Sequence, residues 1–175
     1  MILKFEEDRV KCIERVLDLS LKELVLYDWS AKLLVDVPKE ENNLSENDKV
    51  KLFMDGIVIA VNKNWVDASE SEYEICSEIW YYVRKMFQYL QVRRFEMKAP
   101  RAVHGYIIEQ WEKIIRSDGY EDTGNDITDI TEIDAYTFMY YMLAKYFNVN
   151  KSDLPNAIVD DIVAKLAEEY DTYFE

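Results

Sequence analysis

Residues 69–95, SESEYEICSEIWYYVRKMFQYLQVRRF, decide how the rest of the chain is read. Ser69-Glu70-Ser71-Glu72 offers serine N-cap positions followed by acids, the pattern that satisfies the first amides of a helix. Behind it, Tyr73, Ile75, Cys76, Ile79, Trp80, Tyr81, Tyr82, Val83, Met86, Phe87, Tyr89, Leu90 and Phe95 occupy more than one face of a helix. A helix apolar on several faces has to be covered by several others, so the segment predicts a central, aromatic-rich helix.

The flanking sequence supplies candidates for that cover. Residues 4–36 place Val10, Ile13, Val16, Leu17, Leu21, Leu24 and Val25 mostly three or four apart, a helical spacing that Pro38 ends. At about 1.5 Å per residue, one straight helix of this length would run roughly 50 Å, so a bend or break near Asp28 to Ser30 is expected. Ser45-Glu46-Asn47-Asp48 predicts a capped helix carrying Val50, Phe53, Met54, Ile57, Val58 and Val61, with Gly56 in its interior. Pro100 suits the first position of a helix bearing Val103, Ile107, Ile108, Trp111, Ile114 and Ile115. Thr131 and Asp134 are read as caps of a helix reaching Phe147, and Pro155 opens a last one with Ile158, Ile162, Val163, Leu166 and Tyr170. The expectation is an all-α fold: a single domain over 1–175, built as a compact bundle of six or seven helices with a long, bent N-terminal helix and no strand.

Composition narrows the function classes. At 175 residues the chain has one domain's worth of length. A hydrophobic fraction of 49% is too high for a disordered acidic tail, and four glycines argue against a dinucleotide-binding fold. The apolar runs Leu33 to Val37 and Gly56 to Val61 fall well short of the roughly 20 residues that span a bilayer, so no membrane partner is expected. The first residues turn acidic at Glu6-Glu7-Asp8 without a signal-peptide pattern, and Cys12 and Cys76 lack a paired spacing. Both point to the reducing cytoplasm.

Charge is unevenly laid out. Residues 1–83 hold 18 acids and 10 bases, residues 84–116 hold 3 acids and 8 bases, and residues 117–175 hold 14 acids and 3 bases, for a formal net charge of -14. Such an excess repels phosphate backbones and anionic lipid and speeds approach to a basic partner. Direct nucleic-acid binding is therefore not expected unless Arg84, Lys85, Arg93, Arg94, Lys98 and Arg101 form a segregated patch. The plainer reading is that these bases pair with surplus carboxylates of the same fold.

Specific chemistry finds little support. The acidic run Asp118 to Asp129 resembles a calcium loop only in composition: from Asp118, Tyr120 falls at position three, Thr123 at six and Asp129 at twelve, where an oxygen ligand, Gly and Glu are needed. His104 is the single histidine, so no two-histidine zinc motif is available, and its role as a base for Cys12 or Cys76 has no motif behind it. Neither a metal nor another cofactor is expected. Glu109 with Glu112 and Glu74 with Glu78 share helical faces, and Asp160 or Asp161 with Lys165 makes an ordinary intrahelical ion pair. Acid–base use of such carboxylates requires desolvation that spacing does not reveal.

Thirteen tyrosines exceed what one small helical core readily hides, and tyrosine beside carboxylate suits a protein interface. The candidate partner-binding residues are Tyr120, Glu121, Asp122, Asp126, Asp129, Asp160, Asp161, Glu168, Glu169 and Tyr173. The reading is an acidic helical protein that binds and neutralises a basic protein, in the manner of an immunity protein, an antitoxin or a phage-encoded inhibitor of a nucleic-acid-acting enzyme. A small helical enzyme or ligand-binding bundle using buried carboxylates is the competing reading. A self-associating structural or adaptor module, forming a homo-oligomer through its aromatic helices, is the third.

Overall fold

In the computed structural model, the residues described are 9–24, 32–36, 48–53, 58–98, 105–116 and 130–147. They are mostly helical and run in the order α1 (Arg9–Glu23), β1 (Lys32–Asp36), β2 (Val50–Phe53), β3 (Val58–Asn62), α2 (Lys63–Ala68), α3 (Glu72–Glu96), α4 (Gly105–Ile115) and α5 (Ile130–Phe147). The chain groups into two compact units, Met1–Val83 and Arg84–Glu175, whose boundary falls within α3.

In the first unit, α1 buries Ile13, Val16, Leu17 and Ser20, a stripe at spacings of three, one and three, with Leu24 closing the same face. The Ser20 hydroxyl donates to the Val16 carbonyl at 2.7 Å, which satisfies a buried polar group within its own helix. The helix ends at Glu23, and the expected continuation to residue 36 is corrected: Lys32–Asp36 is a strand. The helix expected over 45–61 is likewise replaced by strands β2 and β3 among its described residues. Gly56, Pro38 and Ser45 lie outside the described residues.

The three strands form one sheet in the order β1-β3-β2. β3 runs parallel to β1, with Lys32 opposite Val58 and Asp36 opposite Asn62, and antiparallel to β2, with Val50 opposite Val61 and Phe53 opposite Val58. Ile59, Ala60 and Val61 are each fully buried, so the central strand has no solvent face. That explains the misreading. A strand covered on both faces loses the apolar–polar alternation and becomes a continuous apolar run, which periodicity alone does not separate from a buried helix.

β3 passes directly into α2 through Asn62, which is 2% exposed. Its carboxamide oxygen accepts from the Asn64 amide at 2.9 Å and the Trp65 amide at 3.3 Å, while its Nδ2 donates to the Asp48 carbonyl at 3.1 Å. One side chain therefore caps a helix and ties it to the residue two before β2. At the other end of α2, the Arg9 guanidinium donates to the carbonyls of Asp67 and Ser69, each at 3.0 Å, and to that of Val66. A cation on the last carbonyls of a helix supplies donors that the helix itself lacks. The start of α1 is thereby fixed to the end of α2.

α3 is the aromatic helix expected over 69–95. The Ser71 hydroxyl accepts from the Glu74 amide at 3.2 Å, Glu72 and Glu74 stand in the first turn, and Arg93 and Arg94 stand in the last, each favourable for the helix dipole. Its middle is buried continuously from Val83 to Gln88, which leaves no face to solvent over more than a full turn. Lys98 closes the helix with φ 54°, the left-handed conformation usual just past a helix end.

In the second unit, α4 buries Ile108 and Trp111 and packs on α5. α5 buries Ala135, Phe138, Met139, Tyr140, Met142 and Leu143, together with Thr131, Glu132, Asp134 and Thr137. Thr131 and Asp134, expected as caps, lie within α5. Pro100 and the helix expected after Pro155 lie outside the described residues.

Asn62 makes three side-chain hydrogen bonds that join α2 to the chain before β2, and Asn62→Ala is expected to lower unfolding stability by about 1–2 kcal/mol through the lost cap. A urea denaturation series on wild type and variant measures the difference.

Candidate functional site

Among the described residues, the largest concentration of buried charge lies between α3 and the start of α5. Within one turn of α3, Arg84, Lys85 and Gln88 are 2%, 4% and 0% exposed; opposite them, Glu132 and Asp134 are 3% and 5% exposed. Arg84 meets Asp134 in a two-pronged contact, Nε to Oδ2 at 2.7 Å and Nη2 to Oδ1 at 2.9 Å. The Gln88 amide nitrogen donates to the same Oδ2 at 2.6 Å and to the Thr131 carbonyl at 2.9 Å, and Lys85 Nζ pairs with Glu132 Oε1. Aromatic rings complete the enclosure: the guanidinium carbon of Arg84 stands 4.3 Å from the centre of Phe87, 5.6 Å from Trp111 and 5.7 Å from Phe138.

The sequence dictates this arrangement in steps. Arg84 and Lys85 sit where α3 has no solvent face, so neither cation can reach bulk water by ordinary helix geometry. An isolated charge at such a position would cost several kcal/mol, which requires a partner of opposite sign brought to the same depth. Glu132 and Asp134, two apart on the first turns of α5, deliver two such partners. An acid near a helix N-terminus is also favoured by the helix dipole, which adds to the placement of Glu132. Phe87 and Trp111 meet edge to face at 6.4 Å and extend the apolar wall around Arg84.

The chemistry open to the cluster is limited by how its carboxylates are engaged. Asp134 accepts three hydrogen bonds from Arg84 and Gln88, and Glu132 is engaged by Lys85. Two cations face two anions, so the cluster is formally neutral. Each buried charge is compensated by its partner, so losing one member of a pair would leave the other uncompensated at depth.

Two exposed arrangements accompany it. In the first unit, Lys49 Nζ bridges Glu74 at 2.9 Å and Glu78 at 3.3 Å and lies 5.7 Å from the centre of the Trp65 ring. The hydrogen bond to Glu74 raises the Lys49 pKa against the opposing effect of burial, and the hydrogen bond to Lys49 lowers that of Glu74. The like-charged pair Glu74 and Glu78, seen in the sequence as a shared face, is thus spanned by one cation. In the second unit, Phe95, Glu96, Lys98 and Glu112 line an open groove of about 480 Å³. Arg116 pairs with Glu112 at 2.8 Å and with Glu96 across the same end of α3.

The basic band therefore divides. Arg84 and Lys85 are consumed inside the fold, Arg116 is paired at the surface, and Arg93 and Lys98 are exposed, Arg93 lying 5.7 Å from the Tyr89 ring centre. Arg101 lies outside the described residues, as does His104. Cys76 is fully buried within α3. Among the tyrosines read as surplus to a core, Tyr140 is buried and stacks on Tyr136 at 6.5 Å, while Tyr81, Tyr82, Tyr89, Tyr136 and Tyr141 are half-buried. Tyr120, Glu121, Asp122, Asp126, Asp129, Asp160, Asp161, Glu168, Glu169 and Tyr173 all lie outside the described residues, and so does the run read against a calcium loop. Among the described residues, no group of three or more His, Cys, Asp or Glu side chains is placed to hold a metal ion, and no helix is long and apolar enough to cross a membrane.

Sequence reasoning missed Gln88, Glu132 and Asp134 as buried partners. A signal was present: Glu132 and Asp134 stand among Ile130, Ile133, Ala135, Phe138 and Met139, where a charge has little chance of reaching solvent. Compared with known proteins, the chain matches no family model, no curated protein and no solved structure.

Two outcomes are expected. Asp134→Ala leaves the Arg84 charge buried without its carboxylate and should cost about 3–5 kcal/mol of stability, read by denaturant unfolding. At the surface, Lys49→Ala should let Glu74 titrate back toward the ordinary carboxylate range, read by carboxyl-carbon NMR. The sign follows from the two shifts: Glu74, being lowered, adds stability above the usual carboxylate pKa and loses it as pH falls; Lys49, being raised, adds stability below 10.5 and loses it as pH rises. Both effects are small because the groups are exposed.

Proposed function

We propose that the protein binds and neutralises a basic protein, working in the cytoplasm as a single domain, with carboxylates occupying a positively charged surface that would otherwise receive phosphates. The observation that carries this reading is the fate of the basic band. Arg84 and Lys85 are paired in the interior with acids from the most acidic third of the chain. Pairing two cations with two anions leaves the net charge of -14 unchanged while removing two of the residues from which a phosphate-binding patch would be assembled. The field available to a partner is then strongly negative, which favours fast, salt-sensitive association with a cationic surface.

The contact surface in this proposal comprises Tyr120, Glu121, Asp122, Asp126, Asp129, Asp160, Asp161, Glu168, Glu169 and Tyr173. Tyrosine supplies contact area at low conformational cost, and the acids select Arg and Lys. An immunity protein, an antitoxin or a phage-encoded inhibitor of a nucleic-acid-acting enzyme would each use this physics. The competing enzyme reading needs an inward carboxylate with unsatisfied acceptor capacity beside a cavity. Glu132 and Asp134 point inward, yet each is engaged by a cation, which weighs against it.

The test is capture of the tagged, full-length chain with its partners from native lysate, followed by affinity measurement on the purified pair. A basic protein should co-purify, its affinity should fall at least tenfold between about 50 mM and about 500 mM salt, and replacing Asp160, Asp161, Glu168 and Glu169 by Asn or Gln should weaken it further. Affinity indifferent to salt would overturn the proposal.

A further inference from the structure

No further inference is drawn: the strongest candidate, the open groove at the C-terminal end of α3 lined by Phe95, Glu96, Lys98 and Glu112, already has its two carboxylates paired with Arg116, and nothing in the structure shows what covers it.

Discussion

Arg84 cannot be solvated where it stands, and much of the second unit follows from that constraint. It is 2% exposed on a turn of α3 that is buried on every side, next to a second cation, Lys85, in the same position. Helix geometry forbids two adjacent residues from sharing a face, so the two cations require partners arriving from slightly different directions. Glu132 and Asp134 meet that requirement from a single element, being two residues apart near the start of α5. Gln88, one turn beyond Arg84, then links the Asp134 carboxylate to the Thr131 carbonyl, so that side chain and backbone of α5 are held by the same turn of α3. Apolar packing by Phe87, Trp111 and Phe138 supplies the low dielectric in which these contacts matter most.

The same interaction divides the basic run between the interior and the surface. A run of bases in an acidic protein admits two opposite meanings, a displayed patch or an internal counterweight. Depth distinguishes them. Arg84 and Lys85 are the counterweight, whereas Arg93 and Lys98, further along α3, are exposed and belong to the surface. One helix thus changes role along its length, from core at Val83–Gln88 to surface at its end. The first unit uses charge differently: Arg9 serves the open carbonyls of α2, and Lys49 spans Glu74 and Glu78 at the surface, where screening by water keeps each contact weak.

How much of this was legible in the sequence depended on whether an element shows one face or none to water. α3 announced itself through its serine cap, acids first and bases last, and aromatic residues on several faces; its observed span, Glu72–Glu96, follows that reading closely. α1 was legible over its first half because its stripe is one-sided. β1 and β3 were not, since Leu33-Leu34-Val35 and Val58-Ile59-Ala60-Val61 lack alternation, and a short apolar run fits either period. The caps expected at Thr131 and Asp134 failed for a related reason: short polar residues near a helix start read as caps by default, and only the surrounding apolar residues hint that they are buried partners. The pairing of Arg84 with Asp134 spans fifty residues of sequence, a separation at which local patterns carry no information.

The dependence of α5 on α3 through the Arg84–Asp134 fork is tested most directly by a double-mutant cycle using Arg84→Met and Asp134→Leu, with unfolding free energies measured for wild type, both single variants and the double variant. Each single change strands a buried charge, whereas the double change removes both. The expected result is a coupling energy above about 2 kcal/mol, with the double variant more stable than either single one. Additive losses would show that the two residues do not hold each other, and would contradict the internal pairing of the basic band.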